Sequence, residues 1–212
     1  RQQNMLVNAL RSHMAEMGLI ATQGRERLNR IVDVIMEDED ESLPALARAS
    51  LRPLVAMLQA NKAAIDEIDR EIKAAHKENE VSQRLASIPG VGVLTASAIA
   101  ATVPDPSFFK SGREFAAWLG LVPRQNSSGG KERLGRISKQ GNRYIRKLLV
   151  IGATSMLKIV RRKSSRQADW AKRLLERKPT KLVTIAMANK AARIAWALMT
   201  KKEIYRATTI AV

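Results

Sequence analysis

Between Leu51 and Ala75 the chain places Leu51, Leu54, Leu58, Asn61, Ile65, Ile68, Ile72 and Ala75 at alternating steps of three and four residues. That spacing holds one side chain per turn on a single stripe of an α-helix, so the segment is predicted as one long helix with an apolar seam. Asn61 is the lone strongly polar member, and a single such residue can fix register at some expense in stability. Two coverings fit the seam, another helix of the same chain or the same seam of a second copy. The spacing leaves both open.

The rest of the chain reads the same way. Leu6, Leu10 and Met14 recur on one helical face, Gly18 offers a stop, and Leu28, Ile31 and Ile35 mark a second helix. The acidic run Glu37 to Glu41 is a solvated break in preference to a metal site, after which Ser42 can cap the long helix with Pro44 in its first turn. Hydrophobic residues make up 45% of the 212 residues but aromatics only 4%, which favours aliphatic, alanine-rich helix packing. The expected fold is all-α: a helical and coiled-coil assembly region over 1–80, then a compact helical domain over 81–212. In the latter, Phe108, Phe109, Phe115, Ala116, Trp118 and Leu119 are expected to be core. Pro179 is expected to part a short helix anchored by Trp170, Leu174 and Leu175 from a final one carrying Leu182, Ile185, Met187, Ala192, Ala195, Trp196 and Met199.

Charge divides the chain at the same place. Residues 1–80 carry 11 Lys and Arg against 14 Asp and Glu, whereas 81–212 carry 26 against 6. A field that basic suits nucleic-acid phosphates through long-range attraction and counterion release. A membrane surface suits it less, because the cations do not lie along one amphipathic lipid-binding helix. With no Cys there is no thiolate nucleophile, disulfide or Cys-based zinc site, and His13 and His76 stand too far apart in sequence to suggest a histidine metal centre. The absence of a long uncharged apolar run and of a signal-like start gives an intracellular, cytoplasmic expectation, and a start at Arg1 suggests a portion of something longer.

Two stretches carry chemistry. Over 84–99 a helical pattern runs to Ile88, Pro89 and Gly90 interrupt it, and a small-residue helix resumes after Gly92. This resembles a helix-hairpin-helix element, in which bare glycines at Gly90 and Gly92 let backbone amides reach a phosphate; a hairpin used only for packing is the alternative. Over 120–147 a Gly- and Ser-rich basic loop leads into a basic helix, with Arg124, Lys131, Arg133, Arg136, Lys139, Arg143, Arg146 and Lys147 opposed only by Glu132. It is not a P-loop, for Gly129-Gly130-Lys131 lacks the upstream glycine and the following Ser or Thr, and it is not a hydrolase elbow. Arg161, Arg162, Lys163 and Arg166 add a further cationic surface.

Read in order, the hairpin Ile88 to Gly92, Phe108-Phe109, Trp118 to Arg124, Ser128-Gly129 and Gly135 to Arg146 resemble the carboxy-terminal transposase domain of the bridge-RNA-guided insertion-sequence transposases, which join a DEDD domain to a serine domain. The resemblance covers about residues 82–157, and the long helix is similar to that family's coiled-coil connector. It implies a recombinase whose serine attacks a DNA phosphodiester. Ser128, before Gly129, matches the nucleophile, with Ser127 the rival by register. It implies phosphate clamping by cations among Arg124, Lys131, Arg133, Arg136, Lys139, Arg143 and Arg146, with Arg136 and Lys139 preferred. It further implies DNA and a guide RNA as partners, a homodimer or higher homo-oligomer, no membrane, and magnesium held by a DEDD domain. No equivalent of that domain stands in 1–80, so the chain is expected to carry no metal site and to be incomplete as an enzyme.

Overall fold

The computed structural model describes residues 1–20, 25–37, 42–126, 133–160 and 166–206. The chain forms two compact units, Arg1–Glu71 and Ile72–Val212.

The first unit holds α1 (Gln2–Glu16), α2 (Arg25–Met36) and most of α3 (Ala45–Glu78). α1 stops where Gly18 takes φ +82, a backbone region open to glycine, with Gly18 N–H donating to Ala15 O at 3.0 Å and Leu19 N–H to Met14 O at 2.9 Å. The helices close around Leu10, Met14, Ile31, Ile35, Leu43, Ala47, Leu51, Val55 and Leu58. Arg48 and Arg52 of α3, four residues apart, donate to the last carbonyls of α2: Arg48 Nη1 to Val34 O at 2.9 Å and Arg52 Nη2 to Met36 O at 3.3 Å. Cations at that end complement the orphan carbonyls and the helix dipole.

The seam splits in two. Leu51 and Leu58 are buried in this core, whereas Ile65 and Ile68 are 45% and 55% exposed on the same stripe. Between them half-buried Asn61 donates its side-chain amide to Gln2 Oε1 at 3.1 Å. The near end of the seam is covered by the chain itself.

The second unit contains α4 (Glu80–Ala86), α5 (Val93–Thr102), a 3-10 turn (Pro106–Phe108), α6 (Gly112–Trp118), β1 (Pro123–Gln125), β2 (Leu134–Ile137), α7 (Arg143–Val160), α8 (Arg166–Leu175) and α9 (Thr180–Lys201). α9 is its axis: buried Val183, Met187, Ala188, Ala191, Ala192 and Ala195 meet Ile145, Leu149, Ala153 and Leu157 of α7 and Phe115 and Ala116 of α6. Alanines along α9 leave room for close approach, and a Cβ on Gly112 would stand only 3.0 Å from Arg193 O. α9 is long and apolar enough to cross a membrane by composition, but half of that apolar window is buried within the unit. The last turn of α3 joins this unit: His76 Nδ1 lies 2.7 Å from the Ser82 hydroxyl, which lies 3.2 Å from the Ser97 hydroxyl, and Asn79 caps α4 by accepting from Ser82 N–H at 2.8 Å.

The fold is predominantly α, as expected, with one departure. Part of the stretch read as a loop is an antiparallel hairpin, β1 against β2 with Pro123 opposite Ile137 and Gln125 opposite Leu134. Its two strands have three and four residues, too few to register as a period-two pattern among so many glycines and cations. Phe108 is also corrected: it is 76% exposed, while Phe109, Phe115 and Trp118 pack together with centroids 5.1 to 5.8 Å apart. On the final helix, α9, which is buried along its inner face, Leu182 is 53% exposed. Phe108 ends the 3-10 turn and Leu182 lies in the first turn of α9, where one face has already left the core.

Candidate nucleic-acid interface

The hairpin stem is built by backbone. Ser138 N–H donates to Val122 O at 2.9 Å, Lys139 N–H to Gly120 O at 3.1 Å, and Asn126 N–H to Arg133 O at 2.9 Å, so the ladder continues past both strand ends. Ser127, Ser128, Gly129 and Lys131 lie outside the described residues. Asn126 and Arg133, which bracket them, are hydrogen-bonded to each other.

Behind the stem, the turn from Lys139 to Asn142 presses onto the end of α6. Gly141 takes φ +71, and a Cβ there would overlap Trp118 O, so only glycine fits. Lys139 takes φ +57, a left-handed conformation rare outside glycine, and its side chain stands exposed. Asn142 then starts α7 by accepting from Tyr144 and Ile145 N–H, both at 3.0 Å.

The cations of this stretch divide by burial. Arg146 is 9% exposed, and its Nη1 donates to Leu119 O at 2.8 Å and to Gln140 O at 2.7 Å. It ties the turn to α6 and is almost wholly removed from solvent. Arg124 is exposed and reaches back to Ser138 O at 3.4 Å across the stem. Arg133, Arg136, Lys139 and Arg143 are exposed on the hairpin, the turn and the first turn of α7. Sequence reasoning left Lys147 and Tyr144 out of the site; both are exposed on the first turns of α7, Tyr144 by 52%. Tyr144 is one of two tyrosines in an aromatic-poor chain, a signal available from sequence. Among the described residues no carboxylate is paired with Arg136, Lys139, Arg143 or Lys147.

The two hairpin glycines do different work. Gly90, φ +85, meets α7: a Cβ there would stand 2.7 Å from Met156 Cγ, and a Cβ on Gly152 would overlap Gly90 O. Gly92, at the start of α5, is exposed, and a Cβ there would meet nothing within 4 Å. Arg161, Arg162 and Lys163 lie outside the described residues, as does the Arg166 side chain. Among the described residues no three His, Asp or Glu side chains gather to hold a metal ion, so the magnesium implied by the resemblance finds no ligand set in them.

Residues 82–169 match the family model described as "Transposase IS116/IS110/IS902 family". Over those residues the chain is similar to this transposase family. Its relatives include the "Probable family 20 transposase" of Pseudomonas aeruginosa, 42% identical over 97% of this chain and 61% of the relative. The "Transposase for insertion sequence element IS1111A" of Coxiella burnetii is 40% identical over 97% of this chain and 57% of the relative. The "Transposase for insertion sequence element IS1328" of Yersinia enterocolitica is 35% identical over 97% and 60%. The chain therefore spans about three-fifths of the length of these relatives. The IS116/IS110/IS902 segment runs from α4 across the hairpin and α7 into α8, so it takes in every cation of the hairpin, the turn and α7.

Proposed function

We propose that this chain is the carboxy-terminal part of a bridge-RNA-guided DNA transposase, and that Ser128 is its nucleophile. The observation that carries the reading is the set of exposed cations on a braced hairpin and helix start, which brackets the Ser128 segment within the family-matched region. In the proposed step Ser128 Oγ bonds to phosphorus as one P–O bond to the neighbouring sugar breaks. The strand is then held as a phosphoserine diester, and the released sugar oxygen leaves carrying, in effect, the serine proton. Arg136 and Lys139 bear on the phosphorane charge that develops, with Arg124, Lys131, Arg133 and Arg143 holding adjoining phosphates. Arg146 is assigned to bracing the turn in place of a phosphate contact.

Three further parts belong to this reading. α4 and α5 serve as a helix-hairpin-helix, with open space at Gly92 supporting access of a phosphate to the following amides. The far end of the seam, Ile65, Ile68, Ile72 and Ala75, pairs with a second copy as a coiled coil, supported by Ile65 and Ile68 left exposed on a long helix, with Ile72 half-buried. The guide RNA, a nucleoid location in the cytoplasm, and magnesium held by a DEDD domain follow from the family resemblance. The described residues offer that metal no ligand set. The isolated chain accordingly acts as a nucleic-acid-binding and assembly module.

Titration of labelled duplex DNA at several salt concentrations tests the grip. The Arg136→Gln/Lys139→Gln double variant is expected to flatten the slope of log affinity against log salt by about 2 units, at roughly 0.9 for each phosphate that is no longer neutralised. An unchanged slope removes these two residues from the interface.

A further inference from the structure

Beyond the family-matched segment, which ends at residue 169, α8 and its turn into α9 carry a second group of cations. Arg173, Arg177, Lys178 and Lys181 are all exposed, with Glu176 the sole carboxylate from 173 to 181. Asp169 lies 3.8 Å from Lys172 and so answers a cation outside this set. Arg173 lies in α8 and Arg177 in the turn that follows it, where Arg177 N–H and Lys178 N–H both bond to Leu174 O, at 3.4 and 3.0 Å, so the turn is held to the helix.

Contacts along α9 place this turn relative to the hairpin. Trp196 Nε1 donates to Pro106 O at 3.2 Å, a Cβ on Gly112 would lie 3.0 Å from Arg193 O, and Asn189 Nδ2 donates to Leu121 O at 3.2 Å. As α9 is followed back from residue 196 to 189, its partner advances from residue 106 to 121. α6 thus runs toward the amino-terminal end of α9, and the hairpin leaves α6 there. α8 reaches the same end: Lys190 Nζ sits 4.5 Å over the Trp170 ring, and the chain then passes through α8 into the turn that opens α9. Lys181 is eight residues before Asn189, about 12 Å along the helix. That is several phosphate steps on a duplex, whose strands rise about 3.4 Å per phosphate.

We infer that Arg173, Arg177, Lys178 and Lys181 form a second rail for the duplex DNA backbone. It lies at the hairpin end of the unit and grips phosphates apart from those at the serine site. The inference rests on the DNA-binding reading above. It makes the serine-bearing hairpin one of two footholds, so that the duplex is oriented across the end of the unit.

The test titrates the 212-residue chain with a random-sequence duplex of about 30 base pairs across a salt series. It compares wild type, Arg177→Gln/Lys178→Gln/Lys181→Gln, the charge-preserving Arg177→Lys/Lys178→Arg/Lys181→Arg, and Arg136→Gln/Lys139→Gln. The neutralised triple variant is expected to lose about tenfold or more in affinity near 0.1 M salt and up to about 2.7 units of salt slope, at roughly 0.9 for each phosphate released. The charge-preserving triple should keep both, which separates lost charge from lost fold. If wild type itself fails to bind any duplex, the DNA-binding reading falls. If wild type and Arg136→Gln/Lys139→Gln behave as expected while the neutralised triple binds like wild type, only the second rail is overturned. A loss confined to a structured RNA hairpin of equal charge, or to phosphatidylserine vesicles, likewise overturns it.

Discussion

Between Arg124 and Lys147 the chain repeats one chemical theme, and residue type alone does not say which guanidinium meets a ligand and which meets its own backbone. Arg146 meets its own backbone: buried, it bridges Leu119 O and Gln140 O from a single nitrogen. Replacement by Ala strands two carbonyls away from water and removes two charge-assisted bonds, so Arg146→Ala is expected to cost about 3 kcal/mol in urea unfolding. Arg136, exposed on β2, should cost under about 0.5 kcal/mol on the same scale while carrying the binding effect described above. An Arg146→Ala protein as stable as wild type would mean that the turn is held by other means. At Lys139 the left-handed backbone places an exposed cation on a turn whose neighbours, Gly120 and Gly141, accept no side chain. Sequence signals the glycines but gives no reason for a lysine between them.

The elements of the second unit are positioned by backbone approach as much as by side-chain burial. Gly90 and Gly152 face each other where the α4–α5 turn meets α7, and a methyl group on Gly152 would overlap Gly90 O. Gly152→Ala is therefore expected to destabilise the protein by about 2 to 3 kcal/mol, seen as a lower midpoint in chemical denaturation, because neither backbone can yield without unseating a helix. Gly92→Ala, with open space around it, should stay within about 1 kcal/mol of wild type. Here the sequence was only half legible. Pro89-Gly90 announces a break and the Ala-rich pattern announces α5, because both are local signals. That Gly90 packs on Gly152, 62 residues away, depends on a tertiary approach that no spacing encodes. The same distinction runs through the rest of the fold. α1, α2, α3, α7 and α9 follow from three-and-four periodicity over several turns, whereas β1 and β2 are fixed by pairing with each other. Of the site, the exposed cations could be read as a group from composition, but the separation of Arg146 from its neighbours needed burial. Ser128 rests on its place in the family motif.

At the scale of the whole molecule, two faces call for partners. The far seam of α3 leaves Ile65 and Ile68 uncovered, an arrangement that lowers its free energy by pairing apolar stripes. Ile65→Asp/Ile68→Asp is expected to convert a concentration-dependent dimer to monomer in sedimentation equilibrium without changing the thermal midpoint measured on the monomer, since neither side chain lies in the first unit's core. A wild type that stays monomeric at all concentrations would remove the coiled-coil assignment. The basic faces suit phosphates, and the strong charge asymmetry between 1–80 and 81–212 sets them apart from the apolar seam along the chain.

The proposed reaction has a basic, braced hairpin deliver a serine to a DNA phosphorus. Covalent capture tests it most directly: the full-length transposase containing this chain, supplied with magnesium, guide RNA and a labelled donor junction, is denatured and resolved for protein-bound DNA. The expected result is an adduct with wild type and with Ser127→Ala, and none with Ser128→Ala although DNA binding is retained. An adduct undiminished in Ser128→Ala would contradict the assignment and move the nucleophile to Ser127 or another hydroxyl.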